Sequence, residues 1–255
     1  MDLFQVLRRA DYDAKEIIEY CQTSPEALSL ANDSDESIPF HVACRNTLVL
    51  KDMSFFTVLL GMFPVGVYAK NKFDWLPIHK ALSVANDEHI PAIRYLLKLY
   101  PASLTSQSLD GLTPLHCAVT GPRNPSPAVI QLLIEHCPQS LSISDKYGQL
   151  PIHKAAAKSR IHEDVVALLI RGNRQSVAVV DDRGFLPLHW LLCRGKFNVD
   201  IFFELIEEYG EGLLQADNEE LTPYMRCECL PFFYFTVVVM VCFSDIHLTK
   251  TVTPS

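Results

Sequence analysis

IPFHVACRN (38–46), LPIHKALSV (76–84), TPLHCAVTG (113–121), LPIHKAAAK (150–158) and LPLHWLLCR (186–194) are five copies of one pattern, and TPYMRCEC (222–229) begins a sixth. Their prolines, Pro39, Pro77, Pro114, Pro151, Pro187 and Pro223, stand 38, 37, 37, 36 and 36 residues apart. Self-similarity at such a period marks a repeat array, each unit one supersecondary motif too small to bury its own apolar stripe. Proline suits the first position of a helix, where its fixed φ is already helical and its missing N–H has no intrahelical partner anyway. Each copy is therefore read as the start of a first helix. Thr113 and Thr222 precede two of the prolines as good N-caps. Ile38, Leu76, Leu150 and Leu186 have no side-chain oxygen to offer, which predicts four weaker helix starts.

Runs of apolar residues follow each copy: FFTVLLGMF (55–63), AIRYLLKLY (92–100), AVIQLLIEHC (128–137), DVVALLIRG (164–172) and DIFFELIEEYG (200–210). Val129, Leu132 and Leu133, and in the next copy Val165, Leu168 and Leu169, recur at helical spacing and predict a second helix per repeat. Before each proline lies a third element, SPEALSLANDSDES, FPVGVYAKNKFDW, YPASLTSQSLDGL, CPQSLSISDKYGQ, NRQSVAVVDDRGF or EGLLQADNEEL, read as a loop. The interval from Pro64 to Pro77, Pro101 to Pro114 and Pro138 to Pro151 is always 13 residues, so the loop is the better-fixed part of the unit.

Asp145, Gly148, Pro151, Ile152, His153 and Ala155 nearly reproduce the pattern Asp-x-x-Gly-x-Thr-Pro-Leu-His-x-Ala, and Asp181, Gly184, Pro187, Leu188 and His189 match again. So do Gly111, Thr113, Pro114, Leu115, His116 and Ala118. On these residues the chain resembles the ankyrin-repeat family over about residues 14–226. It departs from it in a longer period than 33, in Leu or Ile at most Thr positions, in Asp74 where a turn glycine is usual, and in connectors such as GPRNPSPA (121–128). The resemblance implies an all-α, helix-turn-helix solenoid with projecting β-turn loops, about five full repeats with partial terminal units. The expected organisation is an acidic N-terminal capping unit over 1–36, a repeat array over 37–226 and an apolar tail over 227–255.

The 255 residues carry 22 Lys and Arg against 30 Asp and Glu, a balance that disfavours a nucleic-acid partner. The charge is uneven: residues 37–197 hold eleven acids and seventeen bases, whereas 1–36 and 198–225 are acidic. None of the eight cysteines forms a C-x-x-C pair, most lie in apolar runs, and the N-terminus lacks a secretory pattern. An intracellular location, cytoplasm or nucleus, is expected. LPFFYFTVVVMVCF (230–243) is uncharged but shorter than the roughly 20 residues a bilayer-spanning helix needs. It is open to three readings: a divergent final segment, a truncated or mispredicted end, or a membrane anchor.

His41, His79, His116, His153 and His189 all stand two residues after a repeat proline, so their spacing follows the fold rather than a metal site. The resemblance implies that each imidazole bonds to nearby backbone. His162-Glu163 lacks the second histidine of H-E-x-x-H, and no P-loop, dinucleotide fingerprint or nucleophile elbow occurs. No catalytic residue, metal or cofactor is expected, and the chain reads as a protein-binding scaffold. In ankyrin-like arrays the loop tips and first-helix face line the concave surface. The corresponding positions are Lys72, Phe73, Trp75, Leu109, Leu112, Lys146, Tyr147, Gln149, Arg183 and Phe185 at the tips, with Arg45, Lys158 and Arg194 on first helices. Aromatic and basic side chains interleaved in this way suit an interface with an unidentified protein offering an acidic or extended segment. The competing reading has Trp75 and Phe185 packed on adjacent tips and the bases merely solvated.

Overall fold

A computed structural model describes residues 2–9, 11–158, 162–193 and 198–226; Arg194 and the apolar tail lie outside them. An N-terminal pair, α1 (Leu3–Arg8) and α2 (Ala14–Thr23), precedes α3 (Pro39–Arg45), a short α4 (Thr47–Lys51) and α5 (Met53–Met62). Four further pairs follow: α6 (Pro77–Val84) with α7 (Ile90–Leu99), α8 (Pro114–Thr120) with α9 (Pro127–His136), α10 (Pro151–Ala156) with α11 (Glu163–Gly172), and α12 (Pro187–Leu192) with α13 (Val199–Glu208). First helices stack in chain order from α1 to α12, while α2 packs on α5, α5 on α7, α9 on α11 and α11 on α13. One continuous core runs between the layers from Leu3 to Leu213. No strand occurs among the described residues.

The four helices with Ile or Leu at the N-cap start where the prolines predict, and at each the repeat histidine secures the start by bonding to the cap residue's own backbone N–H. Leu76 N–H donates to His79 Nδ1 (3.0 Å), and the same bond recurs from Ile38 to His41, Thr113 to His116, Leu150 to His153 and Leu186 to His189. This is the reach-back half of a capping box, made by an imidazole at the third helical position. The other ring nitrogen crosses to the next repeat. His41 Nε2 donates to Trp75 O (2.8 Å), His79 to Ser106 O (3.2 Å), His116 to Gln149 O (3.0 Å), His153 to Val179 O (3.0 Å) and His189 to Leu221 O (3.3 Å). A backbone donor on Nδ1 fixes the neutral Nε2–H tautomer. His89, outside the periodic column, works alike: it accepts from Asn86 N–H and donates to Thr47 O, anchoring the α6–α7 connector to α4.

The segments read as loops begin with a turn of 3₁₀-helix, such as Pro64–Tyr68, Pro101–Thr105 and Pro138–Ser142, and only then form a tip. Each tip closes on a short polar side chain. Asn71 Oδ1 accepts from Phe73 and Trp75 N–H, Asp145 Oδ1 from Tyr147 and Gln149 N–H, and Asp181 Oδ1 from Arg183 and Phe185 N–H. Ser108 and Asp217 hold their tips in the same way. The third residue beyond this anchor has positive φ. It is Gly111, Gly148 or Gly184 in three tips, but Asp74 (60°) and Glu220 (61°) in two others. A Cβ on Gly111 would stand 2.5 Å from Lys146 N and 2.8 Å from Asp145 Cα, both backbone atoms that cannot swing away. Gly111→Ala should therefore cost about 2 kcal/mol, whereas Asp74→Gly should add about 0.5–1 kcal/mol by relieving left-handed strain. Opposite shifts of the urea midpoint would show this.

Candidate protein-interaction surface

Successive tips are joined by backbone hydrogen bonds. Lys72 N–H donates to Asp35 O, Leu109 to Phe73 O, Lys146 to Asp110 O, Asp182 to Tyr147 O and Asn218 to Arg183 O, all within 2.9–3.1 Å. The residues one and two places past each anchor thus lie along a fixed edge, at spacings set by the backbone rather than by side-chain packing. Phe73, Leu109 and Tyr147 stand out from it at 46%, 63% and 53% exposure, and Lys72, Lys146 and Arg183 are exposed beside them. Lys72 Nζ lies 5.1 Å from the Phe73 ring centre. Tyr147 is flanked by Lys146 (5.0 Å) and Lys154 (5.8 Å), within cation–π range. Lys146 also pairs with Asp110.

The fourth position past the anchor points the other way. Gln149 and Phe185, expected among the binding residues, are buried, and Trp75 and Leu112 are half-buried. Phe185 stacks on His189 (5.3 Å) and lies under Arg226 (4.9 Å), while Gln149 Nε2 donates to Asp181 Oδ2 of the next tip (2.9 Å). The geometric reason is that this residue re-enters the first helix and must close the gap between repeats. Lys158 is also spent internally: its ammonium donates to Val119 O, Gly121 O and Arg123 O, replacing the missing short turn by tying the 121–128 connector to the next repeat. Burial lowers its pKa.

Sequence reasoning missed the residue after three of the five repeat histidines, His79, His153 and His189. Lys154 Nζ reaches Asp145 Oδ2 (2.6 Å), Lys80 reaches Asp35 Oδ2 (3.5 Å), and Trp190 Nε1 donates to Asp181 Oδ2 (2.9 Å). Lys80 also sits 4.7 Å from the Trp75 ring centre. Recurrence of a polar-tipped side chain directly after the histidine was the available signal. Burial pushes the Asp35 carboxyl up, but the adjacent Asn32 amide, hydrogen bonds from Ser37 and the charge of Lys80 outweigh it and hold it at about 2. Burial of the imidazoles lowers His79 and His116 to about 4, and lowers His41, His153 and His189 as well. Buried Cys117 is raised to about 12, the opposite of a reactive thiol. Among the described residues no group of His, Cys, Asp and Glu is placed to hold a metal ion, and no helix is long and apolar enough to cross a membrane.

Stacked helix pairs with a fixed edge of projecting turns define a repeat solenoid. A family model described as ankyrin repeats, in three copies, matches residues 78–181. The crystal structure of the ankyrin repeat domain of Bcl-3, a unique member of the IkappaB protein family, superposes with a TM-score of 0.60. It is 18% identical over 89% of this chain and 94% of that one, a likeness of fold. No curated protein matches the sequence. Residues 78–181 thus match ankyrin repeats in sequence, and the fold of the described residues is like that of an ankyrin repeat domain. Ankyrin repeats generally mediate protein–protein interaction and are typically noncatalytic.

Proposed function

We propose that this chain is a noncatalytic scaffold or adaptor that acts inside the cell. Residues 1–36 cap the array over 37–226, and a partner protein is held on the concave loop-tip surface. The observation that carries this reading is the hydrogen-bonded tip edge, which presents exposed Phe73, Leu109 and Tyr147 among Lys72, Lys146 and Arg183. A surface already rigid in the free protein loses little conformational entropy on binding, and aromatic and Arg side chains dominate interface energies. The basic flank favours a partner segment that is acidic or extended.

The test replaces Lys72, Phe73, Tyr147 and Arg183 with Ala, none of them in the core. Capture from cell extract by the full chain should yield proteins that the variant loses, with helicity and thermal unfolding near wild type. Identical capture by wild type and folded variant would defeat the reading.

A further inference from the structure

A cavity of about 280 Å³ opens between the C-terminal end of α1, the first tip, α3 and α6. Three cations line it, Arg8, Arg45 and Lys80, against one carboxylate, Asp35. Asp35 is already committed to Lys80 and to Ser37 Oγ (2.8 Å). Arg8 and Arg45 are exposed, and among the described residues neither has an ion-pair partner. Each lies in the last turn of its helix, where the helix dipole favours a cation. That role does not require two guanidinium groups from different helices to meet at one cavity. Asn32, also in the wall, uses Oδ1 to shape the tip, while its buried Nδ2 reaches no acceptor at hydrogen-bond geometry.

The geometry points to a phosphoryl-binding pocket: a phosphorylated Ser or Thr side chain of a partner peptide lodges between Arg8 and Arg45. The proposal rests on the reading of the concave surface as the binding face and specifies the chemistry of the partner there. A phosphoryl group brings nearly two negative charges and three acceptor oxygens on one compact head, enough for two guanidinium forks and a further donor. A single carboxylate would neutralise only one of the two unpaired cations. The chain as a whole carries a formal charge of -8, so long-range attraction for a diffusely acidic segment is weak and the pocket must act at short range.

The probe is N-acetyl-O-phosphoserine methylamide, titrated into the ¹⁵N-labelled full chain while the Arg Nε and Asn32 side-chain amide signals are followed. Saturable shifts are expected at Arg8, Arg45 and Asn32, with affinity falling about tenfold or more in the Arg8→Gln, Arg45→Gln double variant. Arg45→Lys keeps the charge but removes the fork, and an intermediate affinity is expected for it, a readout that stands even if the double variant folds poorly. The glutamate methylamide should bind about tenfold more weakly and the serine methylamide not at all. Absence of saturation, unchanged affinity in both arginine variants, or equal binding of glutamate would overturn the proposal. An absent phosphoserine shift with partner capture intact strikes the pocket alone, and capture that survives loss of Phe73 and Tyr147 strikes the tip surface alone.

Discussion

Acidification from about pH 7.5 to about pH 4 should remove roughly 6 kcal/mol of stability, about 3 kcal/mol from each of His79 and His116. Both are at about 4 in the folded protein, against an ordinary histidine value of 6.5. Burial disfavours the imidazolium, and Nδ1, already accepting a backbone N–H, cannot take a proton without breaking that bond. The unfolded chain therefore binds more protons than the folded one between these two values, so stability rises with pH across the window. It is fully present above 6.5 and lost progressively as pH falls to 4. His41, His153 and His189 are lowered in the same direction and reinforce the trend. The Asp35 carboxylate, held at about 2, withdraws its own contribution only at still lower pH. Set against a total of about 5–15 kcal/mol for a domain, the loss is large. Urea unfolding at about pH 7.5, 6 and 5 should show uptake of roughly two protons on unfolding in the lower part of that range. A flat profile between about pH 6.5 and 4 would contradict it.

Replacing one of these histidines should expose how local the dependence is. His79→Ala should cost about 4 kcal/mol, because it orphans Leu76 N–H and Ser106 O and leaves a void where a fully buried ring stood. Leu76 has no side-chain oxygen with which to recover the cap. His79→Asn places an acceptor near the position of Nδ1 but is too short to reach Ser106, so it should recover about 1 kcal/mol, the capping half alone. Urea denaturation followed by circular dichroism separates the two. In a nearest-neighbour array a weakened interface can also divide the transition, in which case the slope falls along with the midpoint. Equal destabilisation by Ala and Asn would mean that the bond across the repeats carries the whole effect.

These histidines also show how far the sequence could be read. Proline period and apolar stripe specify helix pairs and stacking order because both follow from backbone sterics and burial, which repeat with the chain. The caps were underrated at Ile38, Leu76, Leu150 and Leu186 because the compensating donor–acceptor ring lies three residues away and its second partner about 30 residues away. At the tips the difficulty is one of phase. Phe73 and Trp75, or Tyr147 and Gln149, differ by two places in a five-residue turn, yet the first of each pair faces outward and the second turns in. Composition ranks these side chains alike, and only the hydrogen bonds of Asn71 and Asp145 separate them. The pocket at Arg8 and Arg45 left no linear trace, since its walls are brought together by the docking of α1 on α3.

The chain has two tryptophans, and the array places them at different heights. Trp75 lies in the second tip under the ammonium of Lys80, whereas Trp190 donates its indole N–H to Asp181 near the far end. The protein thus carries two built-in optical reporters, one for each half of the stack. Time-resolved emission from single-tryptophan forms would show which end of the solenoid frays first, without any added dye.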